Sequence, residues 1–219
     1  MTAQVDHLVI GAHSLEQGAS WCERMLGATP APGGKHVPMG THNRLLAIGS
    51  AAFPQAYLEI IAIDPDAPPP SRMRWFGLDE PATQARLRER PRLLHLVARS
   101  ARLDDTLAAL ATQGIDAGQA VAAERASPHG MFRWRIAGRA DGKLLFGGAL
   151  PTLIEWLGMH PTDHLPASAV ALQSLALGGL GDAAAAALAL QGVPVAAQGA
   201  ALRASFDTPR GVVHLSSDD

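Results

Sequence analysis

The sequence predicts an α+β fold in which a short βα start occurs three times and is followed each time by further strands. Three apolar, strand-like segments each precede a stretch with apolar residues at helical spacing, which is typical of a βα unit. A glycine ends each helical stretch, where it can adopt the left-handed conformation of a helix stop. The strands begin at His7, His95 and Ser174, and the glycines are Gly27, Gly114 and Gly192.

The later strands of each unit are bounded by Gly and Pro, the residues that most often interrupt strands. The predicted helices are 15–26, 103–111 and 182–190. The predicted later strands are 44–48 and 56–63 in the first unit, 132–137, 143–146 and 153–157 in the second, and 201–206 and 211–216 in the third. The third unit is shorter and lacks a strand.

These elements divide the 219-residue chain into two modules, a connector and a partial third unit. The first module covers 1–63, the connector 64–92, the second module 93–158 and the partial unit 159–219. Repeated prolines in the connector disfavour a central strand or a long helix. Trp75 and Phe76 in the connector either pack onto the outside of the body or form a flap over a pocket.

The composition excludes several classes of protein. The net charge is −2, and no basic run with interleaved aromatic residues suggests a nucleic-acid partner. The single cysteine, Cys22, excludes an intramolecular disulfide framework and is read as a small core residue. No apolar run approaches the roughly 18 residues that a membrane span needs, so we expect a cytoplasmic protein without a membrane partner.

Two histidines and two glutamates interrupt apolar strands at matching places in the two modules. His7 and His95 lie in the first strands, and Glu59 and Glu155 lie in the last ones. Burying such groups is costly unless they are paired, and a cation is one such partner, so the pattern is compatible with a four-ligand metal site. The alternative is that the histidines are satisfied core residues and that the glutamates form salt bridges with nearby arginines, among them Arg44, Arg133 and Arg135.

A glycine-rich loop over 33–43 carries several hydrogen-bonding side chains just before a predicted strand. It lacks the order of residues found in a phosphate-binding loop. Two interpretations remain open, a structural turn and a loop that orients a substrate. In the second, His36, Thr41 and Asn43 are the substrate-binding residues.

The repeated module resembles the vicinal oxygen chelate superfamily, which unites glyoxalase, bleomycin-resistance and extradiol dioxygenase proteins, and within it the glyoxalase-like branch. The resemblance covers about residues 5–156 and is strongest at 6–10, 33–43 and 57–61. It implies paired βαβββ modules that form a cupped mixed sheet, here followed by a partial βαββ unit. The role of this last unit stays open, since it could close the cup, lengthen the sheet or form a homodimer.

The resemblance also implies a site and a function. It assigns His7, Glu59, His95 and Glu155 to a divalent ion of Zn, Ni, Co, Mn or Fe, with Glu155 as the catalytic base. The expected function is a small-molecule enzyme of the isomerase, lyase or dioxygenase type, acting on a substrate with adjacent oxygens. The alternatives are a metal-free protein of the resistance type that binds or sequesters a small molecule, and a structural domain whose His and Glu are inert.

Overall fold

The computed structural model describes residues 2–219, which form four α-helices and twelve strands, and the predicted α+β class is confirmed. The helices are α1 (Leu15–Leu26), α2 (Pro81–Glu89), α3 (Leu103–Thr112) and α4 (Asp182–Leu188). The strands are β1 (Gln4–Gly11), β2 (Ala31–His36), β3 (Thr41–Ala47), β4 (Tyr57–Ile63), β5 (Arg92–Arg99), β6 (Gln119–Ser127), β7 (Gly130–Gly138), β8 (Thr152–Trp156), β9 (Ala171–Gly178), β10 (Val195–Ala196), β11 (Leu202–Thr208) and β12 (Gly211–Ser216).

The two modules share one cupped sheet of eight strands in the order β2-β3-β4-β1-β5-β8-β7-β6. Each module has the same internal order, because β1 pairs in parallel with β4 and β5 pairs in parallel with β8. The first strands of the two modules lie antiparallel at the centre, where Val9 is opposite His95. The paired βαβββ modules predicted by the resemblance are therefore confirmed.

The sheet separates two apolar clusters. Leu8 and Ile10 of β1 pack in the larger cluster, together with Trp21 of α1 and Leu110 of α3. Val9, which lies between them in the chain, packs in the smaller cluster on the concave face. This alternation is the ordinary period of a strand, and it divides the sheet into a helix face and a cup face.

The third unit forms a separate sheet of four strands in the order β10-β9-β11-β12. It packs on the helix face, where Phe206 and Leu177 belong to the larger apolar cluster. Backbone hydrogen bonds attach it to the first module, from Leu172 to Ile48 at 2.9 Å and from Gln191 to Ala3 at 2.9 Å. In this sheet the first strand of the unit, β9, lies between β10 and β11 and does not border the last strand, β12. In each of the two modules, by contrast, the first strand borders the last one.

Local sequence explains the bounds of α1, and the prediction over 15–26 is confirmed. Ser14 caps the helix by accepting a hydrogen bond from the Gln17 backbone at 3.2 Å. Gly27 ends it with φ of 70°, and its N–H donates to the Glu23 carbonyl. Cys22 is buried in the core, as predicted.

The structure differs from the predicted secondary structure, or adds to it, in three places. The predicted strand over 143–146 is a loop that leads into a short 3₁₀ turn, Phe146–Gly148. The predicted connector contains the nine-residue helix α2, which begins at Pro81 because proline is well suited to the first turn of a helix. Strands β2 and β6 were missed; both are edge strands, where Pro32 and the alanine-rich sequence of β6 are tolerated.

No helix within residues 2–219 is long and apolar enough to cross a membrane.

Truncation of a helix-face side chain tests the core. Leu58 of β4 is completely buried in the larger cluster, so Leu58→Ala is expected to lower the free energy of unfolding by about 2–5 kcal/mol. Val212, which is 63% exposed on β12, is the matched control, and Val212→Ala is expected to change it by no more than about 0.5 kcal/mol. Urea denaturation measures both values; equal effects would contradict the assigned faces.

Candidate functional site

A row of buried polar side chains crosses the cup face of the first module. The Asp6 carboxylate, which is fully buried, lies 2.6 Å from His7 Nδ1 through its Oδ1. On the other side of the imidazole, His7 Nε2 lies 3.5 Å from Glu59 Oε2. Strand pairing explains this meeting, because β1 and β4 are parallel neighbours and His7 is opposite Tyr57, two residues before Glu59.

The second oxygen of Asp6 binds residues from the second module and from the segment after it. Trp156 Nε1 of β8 donates a hydrogen bond to Asp6 Oδ2 at 3.0 Å. His160 Nε2 lies 3.1 Å from the same oxygen, and His160 itself caps the 3₁₀ turn Pro161–Asp163. Asp6 therefore holds three separate parts of the chain together at the site.

Hydrogen bonding in this row favours charged groups despite their burial. Burial alone would raise the pKa of Asp6, but hydrogen bonds with His160 and His7 hold it well below its usual range. Burial alone would lower the pKa of His7, but Asp6 and Glu59 raise it to about 9. The pKa of Glu59 is lowered, because its interactions with His7 outweigh the effect of burial. At neutral pH the row is an imidazolium between two carboxylates.

The glycine-rich segment 33–43, which was predicted as a loop, forms the end of β2, a short 3₁₀ turn and the start of β3, and it brings its three predicted substrate-binding residues to this row. Asn43 Nδ2 donates to Glu59 Oε1 at 2.6 Å, and it lies 3.3 Å from His36 Nε2. His36 Nδ1 lies 3.0 Å from Thr41 Oγ1. Burial lowers the pKa of His36 to about 4, so this imidazole is neutral beside the charged pair. His36, Thr41, Asn43, His7 and Glu59 thus form one connected cluster.

His95 lies on the cup face but binds within its own module. Its Nε2 accepts a hydrogen bond from the Thr152 backbone N–H at 3.1 Å and lies 3.0 Å from Thr152 Oγ1. The remaining nitrogen, Nδ1, lies 3.2 Å from the Gly148 carbonyl and is therefore the donor. Burial lowers the pKa of His95 to about 3. Both ring nitrogens of this neutral histidine are already engaged.

Glu155 lies on the opposite face of the sheet from the row. Its neighbours in β8, Ile154 and Trp156, pack in the cup-face cluster, so the alternation of the strand directs Glu155 to the helices. There its Oε2 lies 3.0 Å from Arg135 Nη1, and Arg135 also pairs with Asp104 of α3. The salt bridge with an arginine that the sequence left open as an alternative is therefore observed for Glu155.

The four predicted metal ligands do not fit one shared ion in this arrangement. His7 and Glu59 meet, but His95 has no free nitrogen and Glu155 faces the helices. Within residues 2–219, no group of three or more His, Cys, Asp or Glu side chains has the geometry to hold a metal ion. The four-ligand site and the catalytic role of Glu155 stay predictions from the sequence.

The polar row lies at a small hollow that adjoins a large cavity. The hollow has a volume of about 40 Å³ and is lined by His7, His36, Tyr57 and Glu59, among others. The cavity of about 730 Å³ lies between the β6–β7 hairpin and the glycine-rich segment, and its size is typical of small-molecule sites. The residues that line both spaces are His36, Trp75, Phe76, Arg125, Trp134 and Ile136. Trp75 and Phe76 of the connector therefore pack over the concave face, at the junction of the two spaces.

Sequence reasoning missed several residues of the site. Asp6 stands beside His7 in the same strand, and this adjacent carboxylate was the available signal. His160 stands four residues after the end of β8, and nothing in the sequence links it to Asp6, which lies 154 positions earlier in the chain. Arg125 gave no signal, because the strand that carries it was not predicted.

A pH series tests the charge of His7. Its folded pKa of about 9 exceeds the ordinary 6.5, so the stabilisation is complete below about pH 6.5 and is lost as the pH rises through about 9. The difference in unfolding free energy between wild type and His7→Gln is expected to shrink by about 3 kcal/mol over this range. Urea denaturation at several pH values measures it, and a difference that stays constant would contradict the imidazolium.

Elemental analysis tests the predicted metal ligands. A site that used all four residues would lose its metal in both His7→Ala and Glu155→Ala. Because Glu155 pairs with Arg135 on the helix face, we expect Glu155→Ala to have the same metal content as the wild type. A stoichiometric metal in the wild type that disappears in Glu155→Ala would contradict the observed arrangement.

Comparison with solved structures finds chains that are similar to this one. A crystal structure of a hypothetical protein from Staphylococcus aureus has a TM-score of 0.55 and 12% identity, and the match covers 81% of this chain and 70% of that one. Methylmalonyl-CoA epimerase of Streptomyces coelicolor, in complex with 2-nitronate-propionyl-CoA, gives a TM-score of 0.45 and 15% identity over 73% of this chain and 99% of that one. The epimerase from Mycobacterium tuberculosis gives 0.41 and 17% over 73% and 90%.

A search of curated proteins gives no match to the sequence. The profile of the Glyoxalase-like domain family, in contrast, matches residues 5–193, which include both modules and the start of the third unit. The chain belongs to the glyoxalase-like domain family.

Proposed function

We propose that this protein is a small-molecule enzyme that transfers a proton at a carbon next to a carbonyl group, with Glu59 as the base. The observation that carries the proposal is the Asp6–His7–Glu59 row, whose His7 and Glu59 line the hollow of about 40 Å³ that adjoins the cavity of about 730 Å³. Buried acid and base groups that meet in a cavity are typical of catalytic sites. Membership in the glyoxalase-like family agrees with such an activity.

Glu59 has the properties of a proton acceptor that needs no prior activation. Its lowered pKa keeps it ionised at neutral pH, and its carboxylate lines the small hollow. Asn43 orients one oxygen at 2.6 Å, and the other oxygen faces His7. A base held in this way loses little freedom when it meets a substrate, which favours proton transfer.

The charge balance of the row favours the same reaction. When Glu59 accepts a proton from carbon, the electron pair of the C–H bond moves towards the carbonyl oxygen, and the negative charge passes from the enzyme to the substrate. His7 stays an imidazolium next to Glu59, so a positive charge remains close to the developing anion. His36 is neutral and lines both spaces, which suits it to contact the substrate without adding charge.

The preferred substrate is a small molecule with adjacent oxygens and an apolar body. Trp75, Phe76 and Trp134 line the junction of the hollow and the cavity, so an apolar group can pack there while the oxygens approach the polar row. Phenylpyruvate is a suitable probe, because it combines a phenyl ring with neighbouring keto and carboxylate oxygens.

Deuterium exchange measures the proposed proton transfer. Wild-type protein in D₂O is expected to accelerate the exchange of the C3 hydrogens of phenylpyruvate, followed by proton NMR. Glu59→Gln is nearly isosteric but cannot accept the proton, so we expect its rate to fall by about 10²-fold or more. Glu155→Gln is the matched control and is expected to stay within about threefold of wild type, since Glu155 lies on the helix face.

Two results would contradict the proposal. One is exchange that depends on Glu155 and not on Glu59, which would restore the base predicted from the sequence. The other is binding of phenylpyruvate without exchange. That result would favour the second function, a metal-free protein that binds or sequesters small molecules, which is supported by the largely apolar lining of the cavity.

A further inference from the structure

Arg125 occupies the junction between the small hollow and the large cavity. It lies on β6, the edge strand of the second module, and lines both spaces. Of the residues that line both, it is the one with a permanent charge. Arg125 is half-buried, and Glu59 is among the groups that act on it electrostatically.

The guanidinium is held by packing on two sides. Gly34 of β2 leaves space for it, because a Cβ at this position would overlap the guanidinium. On the other side, Arg125 Cζ lies 5.5 Å from the centre of the Phe132 ring on β7, within the range of a cation–π contact. Gly34 and the Phe132 ring thus hold the Arg125 guanidinium in place, and neither of them carries a negative charge.

Arg125 differs from the other arginines of its hairpin in having no acidic partner. Arg133 pairs with Glu124 at 3.2 Å, Arg135 with Asp104 at 2.6 Å, and Arg139 with Asp141 at 2.6 Å. Among residues 2–219, no side chain or backbone group accepts a hydrogen bond from Arg125, and none forms an ion pair with it. The N–H donors of Arg125 therefore have no acceptor among the described residues, and the side chain lines the cavity.

We propose that Arg125 binds an oxyanion of the substrate, a carboxylate or a phosphate, and thereby makes this a site for apolar anions. The planar guanidinium can donate two parallel hydrogen bonds to such a group, which a neutral ligand cannot accept in the same way. The aromatic side chains at the junction would cover the apolar part of the same molecule.

This assignment rests on the proposed function and narrows its substrate class. An anion held at Arg125 would have its charged end beside the hollow that contains Glu59, so the carbon that loses its proton would lie a few bonds from the oxyanion. Arg125 is then a substrate-binding residue that sets specificity, while Glu59 performs the proton transfer.

Two fluorescent probes distinguish the contribution of charge to binding from the contribution of apolar contacts. The probes are 8-anilinonaphthalene-1-sulfonate and its uncharged analogue N-phenyl-1-naphthylamine, titrated into wild type, Arg125→Gln, Arg125→Lys and Arg135→Gln. For the sulfonate we expect Kd to rise about tenfold in Arg125→Gln, equivalent to about 1.4 kcal/mol, and to rise less in Arg125→Lys. The Kd of the uncharged probe is expected to stay within about twofold of the wild-type value in all variants. Arg135→Gln removes a paired arginine outside the cavity and controls for net charge.

Competition identifies the oxyanion. Displacement of the sulfonate by 3-phenylpropionate indicates a carboxylate, and displacement by phenyl phosphate indicates a phosphate. The proposal is overturned if the uncharged 3-phenylpropionamide competes as well as either anion, or if Arg125→Gln weakens both fluorescent probes equally. Thermal unfolding by circular dichroism verifies that each variant is folded, and Arg125→Lys provides the test if Arg125→Gln is not.

These experiments can reject the anion site and the proposed reaction independently of each other. Sulfonate binding that depends on Arg125, together with no deuterium exchange, would retain the anion site and reject the proposed reaction. Exchange of phenylpyruvate that depends on Glu59 but is unchanged in Arg125→Gln would retain the reaction and reject the anion site.

Discussion

The buried carboxylate of Asp6 is the interaction on which the site depends. An ionised group without solvent is costly, and here His7, Trp156 and His160 provide the hydrogen bonds that offset this cost. Trp156 and His160 lie 150 and 154 positions away from Asp6 in the chain, so the carboxylate is satisfied only when β1 meets β8 and the turn that follows it. The same contact fixes the protonated state and the orientation of His7, and through it the environment of Glu59. Folding and the electrostatics of the site are therefore coupled at one residue.

The sequence predicted the paired modules correctly, because these follow from repeated local patterns. It also singled out His7 and Glu59, which lie together in the structure, although their predicted role as metal ligands stays a prediction. His7 and Glu59 meet because β1 and β4 are parallel neighbours, a relation that the repeated βα start implies. Glu155 shows the limit of this reasoning. A strand with apolar residues on both sides of a glutamate does not reveal which neighbour faces the cup. In β4 the glutamate faces the concave side, whereas in β8 Ile154 and Trp156 face it instead. Placing Glu155 at the site therefore required knowing which face of the sheet each residue of β8 occupies. A strand that is apolar on both faces does not contain this information.

Long-range contacts explain what the sequence did not reveal. Arg125 reaches the site because β6 and β2 are the two edges of a cupped sheet, and the glycine that accommodates it lies far away in the chain. Helix α2 lies in a proline-rich segment, but its first proline stands at a position that favours a helix. The place of the third unit in the fold also depends on tertiary packing, since its large apolar residues join the core on the helix face of the eight-stranded sheet.

The internal bonding of His95 has a consequence for how the two halves of the molecule can change over evolution. A duplicated fold begins with two equivalent pockets, yet here the second histidine holds its own backbone at Gly148 and Thr152. The β6–β7 hairpin of the second module lines the cavity and makes none of the hydrogen bonds of the Asp6–His7–Glu59 row, so it can accept new side chains without disturbing that row. The first module has no such freedom, because its polar residues depend on one another. Substitutions should therefore be tolerated better in the β6–β7 hairpin than in the polar row.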